Sequence, residues 1–198
     1  MSQVDAVGVT LLRAASDVLA TDGPAALTVR RIAHQAGVST MNVYSRFGGK
    51  DGVIDHLFIE GFARLFDAVQ AAPLTGDALA DLRRCGSNYR QFALANPTYY
   101  SIMFDRVVAD YQPSAAALEQ AGATLQQLAD RVARAMSMGA LAQADPMVTA
   151  ASLWATCHGL VSLELKDAKP DSIDWAHVFQ ATTAALFRGL AAGVGATT

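Results

Sequence analysis

Cysteine is almost missing from this sequence: Cys85 and Cys157 are the only two in 198 residues, far apart and outside any CxxC pair. A disulfide framework needs several cysteines and a structural zinc site needs closely spaced Cys/His ligands, so both are excluded, and two buried reduced thiols are expected. Charge is sparse too. Asp, Glu, Lys and Arg make up 17% of the chain and the formal net charge is −3, which excludes a protein that coats nucleic acid or a membrane along its whole length. Any nucleic-acid site must be local. No run reaches the roughly 18 apolar residues of a membrane span, and Met1–Gly8 lacks a basic stretch leading into an apolar one. This pattern reads as cytoplasmic, with no membrane partner. Internal repeats, low-complexity tracts and long linkers are also missing. What is abundant is apolar sequence, 52% of residues, far from the composition of disordered chains.

The patterning is helical nearly throughout, which predicts an all-α protein of about nine helices. A first helix covers about Val9–Ala20, with Leu12, Ala15 and Leu19 on one face, and stops at Asp22-Gly23-Pro24. Thr28 caps a short helix through Gln35, Gly37 makes a turn, and Ser39 caps a second short helix ending at Gly48-Gly49. A longer helix from Lys50 carries Ile54, Phe58, Phe62, Leu65 and Val69 on its apolar stripe. Further helices are expected over Asp77–Leu94, Asn96–Phe104, Ser114 to about Met138, Asp145-Pro146 to Lys166, and near Ser172 to Leu190. The organisation predicted is a three-helix domain over 1–50, a connecting helix over 50–70, a helical bundle over 71–192, and a frayed tail over 193–198.

The chain's longest acid-free window coincides with the helix-turn-helix. Between Gly23 and Lys50 stand Arg30, Arg31, Arg46, Lys50 and His34, without one Asp or Glu. Phosphate attraction needs positive charge and helix N-termini, and sequence reading needs side chains on a helix that enters the major groove. Thr28 and Ser39 stand at helix starts, and Thr40, Met41, Asn42 and Tyr44 decorate the first turns of the second helix. Asn42 is the best base reader, because its amide matches adenine at two positions; Met41 or the Thr40 methyl suits a thymine methyl. On spacing alone, a solvated helical hairpin with surface arginines is the alternative.

The stretch Leu27-Thr28-Val29-Arg30-Arg31-Ile32-Ala33, with Ala36-Gly37-Val38-Ser39, Val43-Tyr44, Phe47 and Lys50, resembles the signature of the TetR/AcrR family. The resemblance implies that Thr28, Tyr44 and the helix start at Lys50 touch phosphate and that Arg30, Thr40, Met41 and Asn42 face the groove of double-stranded operator DNA. It also implies that Ile32, Ala33, Val38, Val43 and Phe47 are core. This chain departs from the common pattern at Met41, Asn42 and Gly52. The first two bear on operator choice; glycine in a first helical turn costs up to about 1 kcal/mol relative to alanine.

In the second half, Leu153-Trp154-Ala155-Thr156-Cys157-His158-Gly159-Leu160-Val161-Ser162-Leu163-Glu164-Leu165 resembles the WHG-type C-terminal domain found in part of the same family, as does Asn96-Pro97 with Tyr99, Tyr100, Met103 and Phe104. Trp154 and His158 lie four apart on one helical face, and Gly159 permits close approach of a neighbouring helix. Phe92, Tyr99, Tyr100, Met103, Phe104 and Trp154 are candidate walls, and His158 a candidate anchor, for a small hydrophobic or aromatic ligand. The same residues serve equally as ordinary core. Cys157 and His158 are adjacent and point about 100 degrees apart on a helix, which disfavours a nucleophile-base pair. No cofactor, metal site or catalytic set is expected.

Small residues at Ala150 and Ala151, with Trp175, Val178, Phe179, Thr182, Leu186 and Phe187 at near-heptad spacing, leave the last two helices in need of a partner. TetR-like proteins dimerise by pairing these helices, so the resemblance implies a homodimer through 146–166 and 172–190. The function expected is a repressor released from its operator by a small molecule, nucleoid-associated when bound. The alternatives are an activator, or a protein-interaction module on the same fold.

Overall fold

The structure, a computed structural model, describes residues 4–105, 108, 111–166, 170 and 172–191. The tail expected at 193–198 lies outside the described residues. Among those described there are nine α-helices and no β-sheet. They are α1 (Ala6–Asp22), α2 (Val29–Gln35), α3 (Thr40–Phe47), α4 (Lys50–Gln70), α5 (Ala78–Ala95), α6 (Pro97–Phe104), α7 (Ala115–Ser137), α8 (Pro146–Glu164) and α9 (Trp175–Leu190). The all-helical expectation holds. The chain divides into two compact units, Met1–Ala63 with Asn96–Ala121, and Arg64–Ala95 with Gly122–Thr198.

Local chemistry accounts for most boundaries. Asp5 starts α1 earlier than its apolar pattern suggests, its side chain accepting the Gly8 N–H at 2.8 Å. Thr28 caps α2 by accepting from the Arg31 N–H at 3.1 Å. Ser39 has the extended backbone of a cap residue, but its hydroxyl makes no capping bond; that part of the expectation is corrected. Gly48 ends α3 at φ 72°, a left-handed conformation that glycine adopts without a Cβ clash. Asp145 accepts from the Met147 and Val148 N–H groups ahead of α8. Asp174 caps α9, accepting from His177 N–H at 3.1 Å, so the helix expected from near Ser172 begins at Trp175.

In the first unit, Leu11, Ala15 and Val18 of α1 are buried with Leu27, Ile32 of α2 and Val43 of α3. Each such leucine or isoleucine contributes roughly 1.5–3 kcal/mol through burial. The helix α6 lies against α4 at Gly61, where a Cβ would come within 2.7 Å of the Met103 sulfur. The loop before α7 is fastened by Asp55, which accepts from the Tyr111 hydroxyl at 2.8 Å, the Ser114 N–H at 2.8 Å and the Ser114 hydroxyl at 2.7 Å. Burial works against the charged form, but these donors hold the Asp55 carboxyl below the usual carboxylate range.

In the second unit, Leu82 of α5, Val132 and Met136 of α7, Leu153 of α8 and Phe187 of α9 share one core with Leu141. Arg90 joins α5 to α8 through two bonds to Glu164, at 2.8 and 2.5 Å. Carbonyls at the end of α4 and just beyond it are taken up by side chains: Asn88 donates to Ala68 at 2.9 Å, and Arg131 to Gln70 at 3.3 Å and to Ala72, two residues past the helix, at 2.9 Å.

Candidate nucleic-acid interface

The helix pair α2 and α3, joined through the left-handed Gly37, presents a row of polar and long side chains to solvent. Thr28, Arg30, Ser39, Thr40, Met41 and Tyr44 are exposed, and Asn42 and Lys50 are half-buried. Met41 is 70% exposed and Tyr44 54%, values that no core role explains for such large side chains. Ile32, Ala33, Val43 and Phe47 point the other way and are buried, while Val38 is half-buried.

The charge pattern is more restrained than the acid-free window suggests. Arg31 pairs with Asp22 at 2.7 Å, one residue before that window begins. Arg46 pairs with Asp5 through Nε at 2.8 Å and Nη2 at 2.8 Å. The Arg46 guanidinium, and then the Gly8 N–H, lower the Asp5 carboxyl to about 2. Among the described residues neither Arg30 nor Lys50 meets a carboxylate, so these two cations are available to phosphate.

Sequence reasoning missed the network behind Asn42. Arg46 Nη1 donates to Asn42 Oδ1 at 2.9 Å, and Asn42 Nδ2 donates to the Ser39 hydroxyl at 3.0 Å. An amide has two donors and two acceptor lone pairs, so one N–H and one lone pair of Asn42 remain. The network orients the amide. The link from Asp5 spans 41 residues, beyond any local motif.

Gly52 also has a structural reason. A Cβ there would fall 1.7 Å from the Phe47 carbonyl oxygen, so the first turn of α4 lies directly on the end of α3. His56 secures the same joint: its Nδ1–H donates to the Gly52 carbonyl at 2.8 Å and its ring meets Phe47 edge-on at 4.9 Å.

With that geometry in view, the comparisons are decisive. Residues 11–57 match the family model described as bacterial regulatory proteins, tetR family, and residues 82–186 match the tetracyclin repressor-like C-terminal domain. The chain belongs to the TetR family. It is a DNA-binding transcriptional regulator, and repression, dimerisation and response to small molecules are typical of TetR regulators. A Rhodococcus sp. RHA1 protein of unknown function is 26% identical, with a TM-score of 0.83 over 96% of this chain and 98% of that one. The fatty acid degradation regulator FadR of Bacillus halodurans shares the fold at 19% identity and TM-score 0.78, over 94% and 97% of the two chains. A bacterial regulatory protein of the tetR family from Rhodococcus RHA1 does so at 16% identity and TM-score 0.75, over 96% and 99%. No curated protein matches the sequence.

The residues expected to bind ligand fall in both units. Tyr99, Tyr100, Met103 and Phe104 belong to the first: Tyr99 and Met103 sit over Gly61, and Phe104 meets Phe62 edge-on at 5.4 Å. Phe92, Trp154 and His158 belong to the second, where Trp154 and His158 rings stand 5.8 Å apart and His158 Nδ1 shares a 3.2 Å hydrogen bond with the Tyr89 hydroxyl. The neighbouring Cys157 thiol is pushed up to about 12 by burial, which keeps it protonated and unreactive. Among the described residues nothing lies within 4 Å of where a Cβ at Gly159 would stand. Among the described residues no helix is long and apolar enough to cross a membrane.

Proposed function

We propose that this TetR-family chain is a cytoplasmic homodimeric repressor that holds double-stranded operator DNA when ligand-free and leaves it when a small hydrophobic or aromatic molecule binds within residues 71–192. Thr28, Ser39, Tyr44 and Lys50 contact phosphate, and Arg30, Thr40, Met41 and Asn42 read the groove. The observation that carries this reading is α4, which is separated from α3 by only Gly48 and Gly49 and runs without a break to Gln70, into the residues of the second unit. A rigid segment of this kind transmits a population shift without a flexible linker. The ligand then moves the two reading helices away from the roughly 34–36 Å spacing of adjacent major grooves.

Dimerisation through 146–166 and 172–190 is supported by the faces that α8 and α9 leave uncovered. On α8, Val148 is 64% and Leu163 54% exposed, in line with exposed Ser152, Ala155 and Gly159. On α9, Ala181, Ala185 and Gly189 are exposed beside half-buried Val178. Small residues in line let two helices approach closely, and a two-fold pairing covers both stripes.

The test is a mobility shift on the intergenic DNA flanking the gene, repeated with a panel of apolar metabolites, together with spin-label distances between the two copies of α3. Release of the shifted band with an altered distance distribution is expected. Release with an unchanged distribution contradicts the mechanism. The packing of Tyr99, Met103 and Phe104 against α4 favours a second reading, an activator or protein-interaction module, and a panel without effect on the band would support it.

A further inference from the structure

The second unit holds two polar side chains that the fold does not satisfy. Gln127 and Arg131 stand four residues apart on one face of α7, and each is only 8% exposed. Arg131 Nη2 donates to the carbonyls of Gln70 at 3.3 Å and Ala72 at 2.9 Å. Its Nη1 and both amide atoms of Gln127 are buried and have no hydrogen-bond partner among the described residues. Nor does a carboxylate there neutralise Arg131. The buried acid of the same unit, Asp81, is already engaged by Thr75 N–H at 2.7 Å, Thr75 hydroxyl at 2.8 Å, Arg84 at 2.6 Å and Arg134 at 3.1 Å.

A buried guanidinium without a counter-ion is costly, and so is a buried amide without partners. Both costs are relieved by one kind of occupant. We propose that Gln127 and Arg131 bind the carboxylate of a small organic acid, one oxygen accepting from Arg131 Nη1 and the other from Gln127 Nε2. Gln127 Oε1 then accepts from a hydroxyl of the ligand. A carboxylate fits better than a neutral carbonyl because it also cancels the charge. Since Nη2 remains on the carbonyls of Gln70 and Ala72, the occupant is linked through one guanidinium to the C-terminal end of α4 and the two residues after it. This rests on the reading of the chain as ligand-responsive and adds to it the chemistry of the head group.

The experiment is calorimetry on the full-length protein with 2-hydroxyoctanoate and 2-hydroxybenzoate, each against its neutral amide, and with octyl phosphate as a second anion. At least one acid binds at millimolar concentration or tighter, its amide weaker by about tenfold or more, as expected for hydrogen bonds to a charged group. Arg131→Gln abolishes binding. Because that variant also loosens α4, Gln127→Leu is the cleaner probe: it removes an unpaired buried amide, keeps the fold, and weakens acid binding by about tenfold. Amides that bind as well as acids, octyl phosphate binding in preference to the acids, a Gln127→Leu protein with unchanged affinity, or no binding by either acid overturns the proposal. Acid binding that follows these rules without change in DNA affinity upholds the site and removes the released-repressor reading. DNA release by a neutral compound, indifferent to both substitutions, does the reverse.

Discussion

In the first unit the reading surface keeps its charged side chains at the exterior, where they meet one another, Arg31 on Asp22 and Arg46 on Asp5. In the second unit they are drawn inside: Asp81 is buried under two arginines and a threonine, and Arg131 is buried with a nitrogen to spare. The difference follows what each surface must do. Exposed ion pairs are weak and exchange readily for phosphate, so a DNA-binding face can hold its cations in place before DNA arrives. Buried polar groups cannot exchange with water; they either lock a core or await a specific partner.

Several substitutions would break or sharpen this contrast. The largest effect is expected at the joint behind the reading helix. Gly52→Ala places a Cβ 1.7 Å from the Phe47 carbonyl oxygen, so unfolding by urea should show a loss of about 3 kcal/mol, at the upper end for overpacking. A midpoint equal to that of the parent would mean that α4 does not lie so tightly on α3. Next is Asn42→Ala, which should relax the preference at one operator position by about 1–3 kcal/mol while leaving non-specific binding in place. Competition between single-base operator variants measures it.

A smaller, paired effect tests the restraint on Arg46. Lys50→Ala removes a cation free to meet phosphate, so the slope of log affinity against log salt should flatten by about one; Asp5→Asn releases Arg46 and should steepen it by about the same amount. Equal slopes for Asp5→Asn and parent would show that the ion pair does not compete with phosphate. The smallest effect is the pH dependence. Asp55 and Asp81 both lie below the usual carboxylate range in the folded chain, against burial, because of the hydrogen bonds they accept. Their contribution is therefore complete above about pH 4, the unfolded value, and is lost as pH falls through the lower folded values. Thermal melts from neutral to acid pH should stay level and then decline below that point, and Asp55→Asn should flatten the decline.

The helices were legible because their punctuation is local: Asp22-Gly23-Pro24, Gly37, Gly48 and Asp145-Pro146 each mark a boundary within a few residues of where it occurs. The predicted stripe on α4, Ile54, Phe58, Phe62, Leu65 and Val69, is buried at every position. What escaped was non-local. Asp5 reaches Arg46 over 41 residues and Tyr89 reaches His158 over 69. Gln127 and Arg131 look like the solvated face of an Ala-rich helix, since only tertiary packing shows that they are inside. Gly52 read as an unexplained weakness because the carbonyl that excludes a side chain comes from the preceding helix.

The central claim is that α3 reads DNA sequence, with Asn42 held ready by Arg46 and Ser39. It is tested most directly by selecting duplexes from a random pool with the full-length protein and measuring the enriched site by fluorescence anisotropy across a salt series, beside Asn42→Ala. An enriched site bound with linear salt dependence, and losing its preference for one base pair in the variant, is the predicted result. A pool without enrichment, or a variant with unchanged preference, would contradict the account.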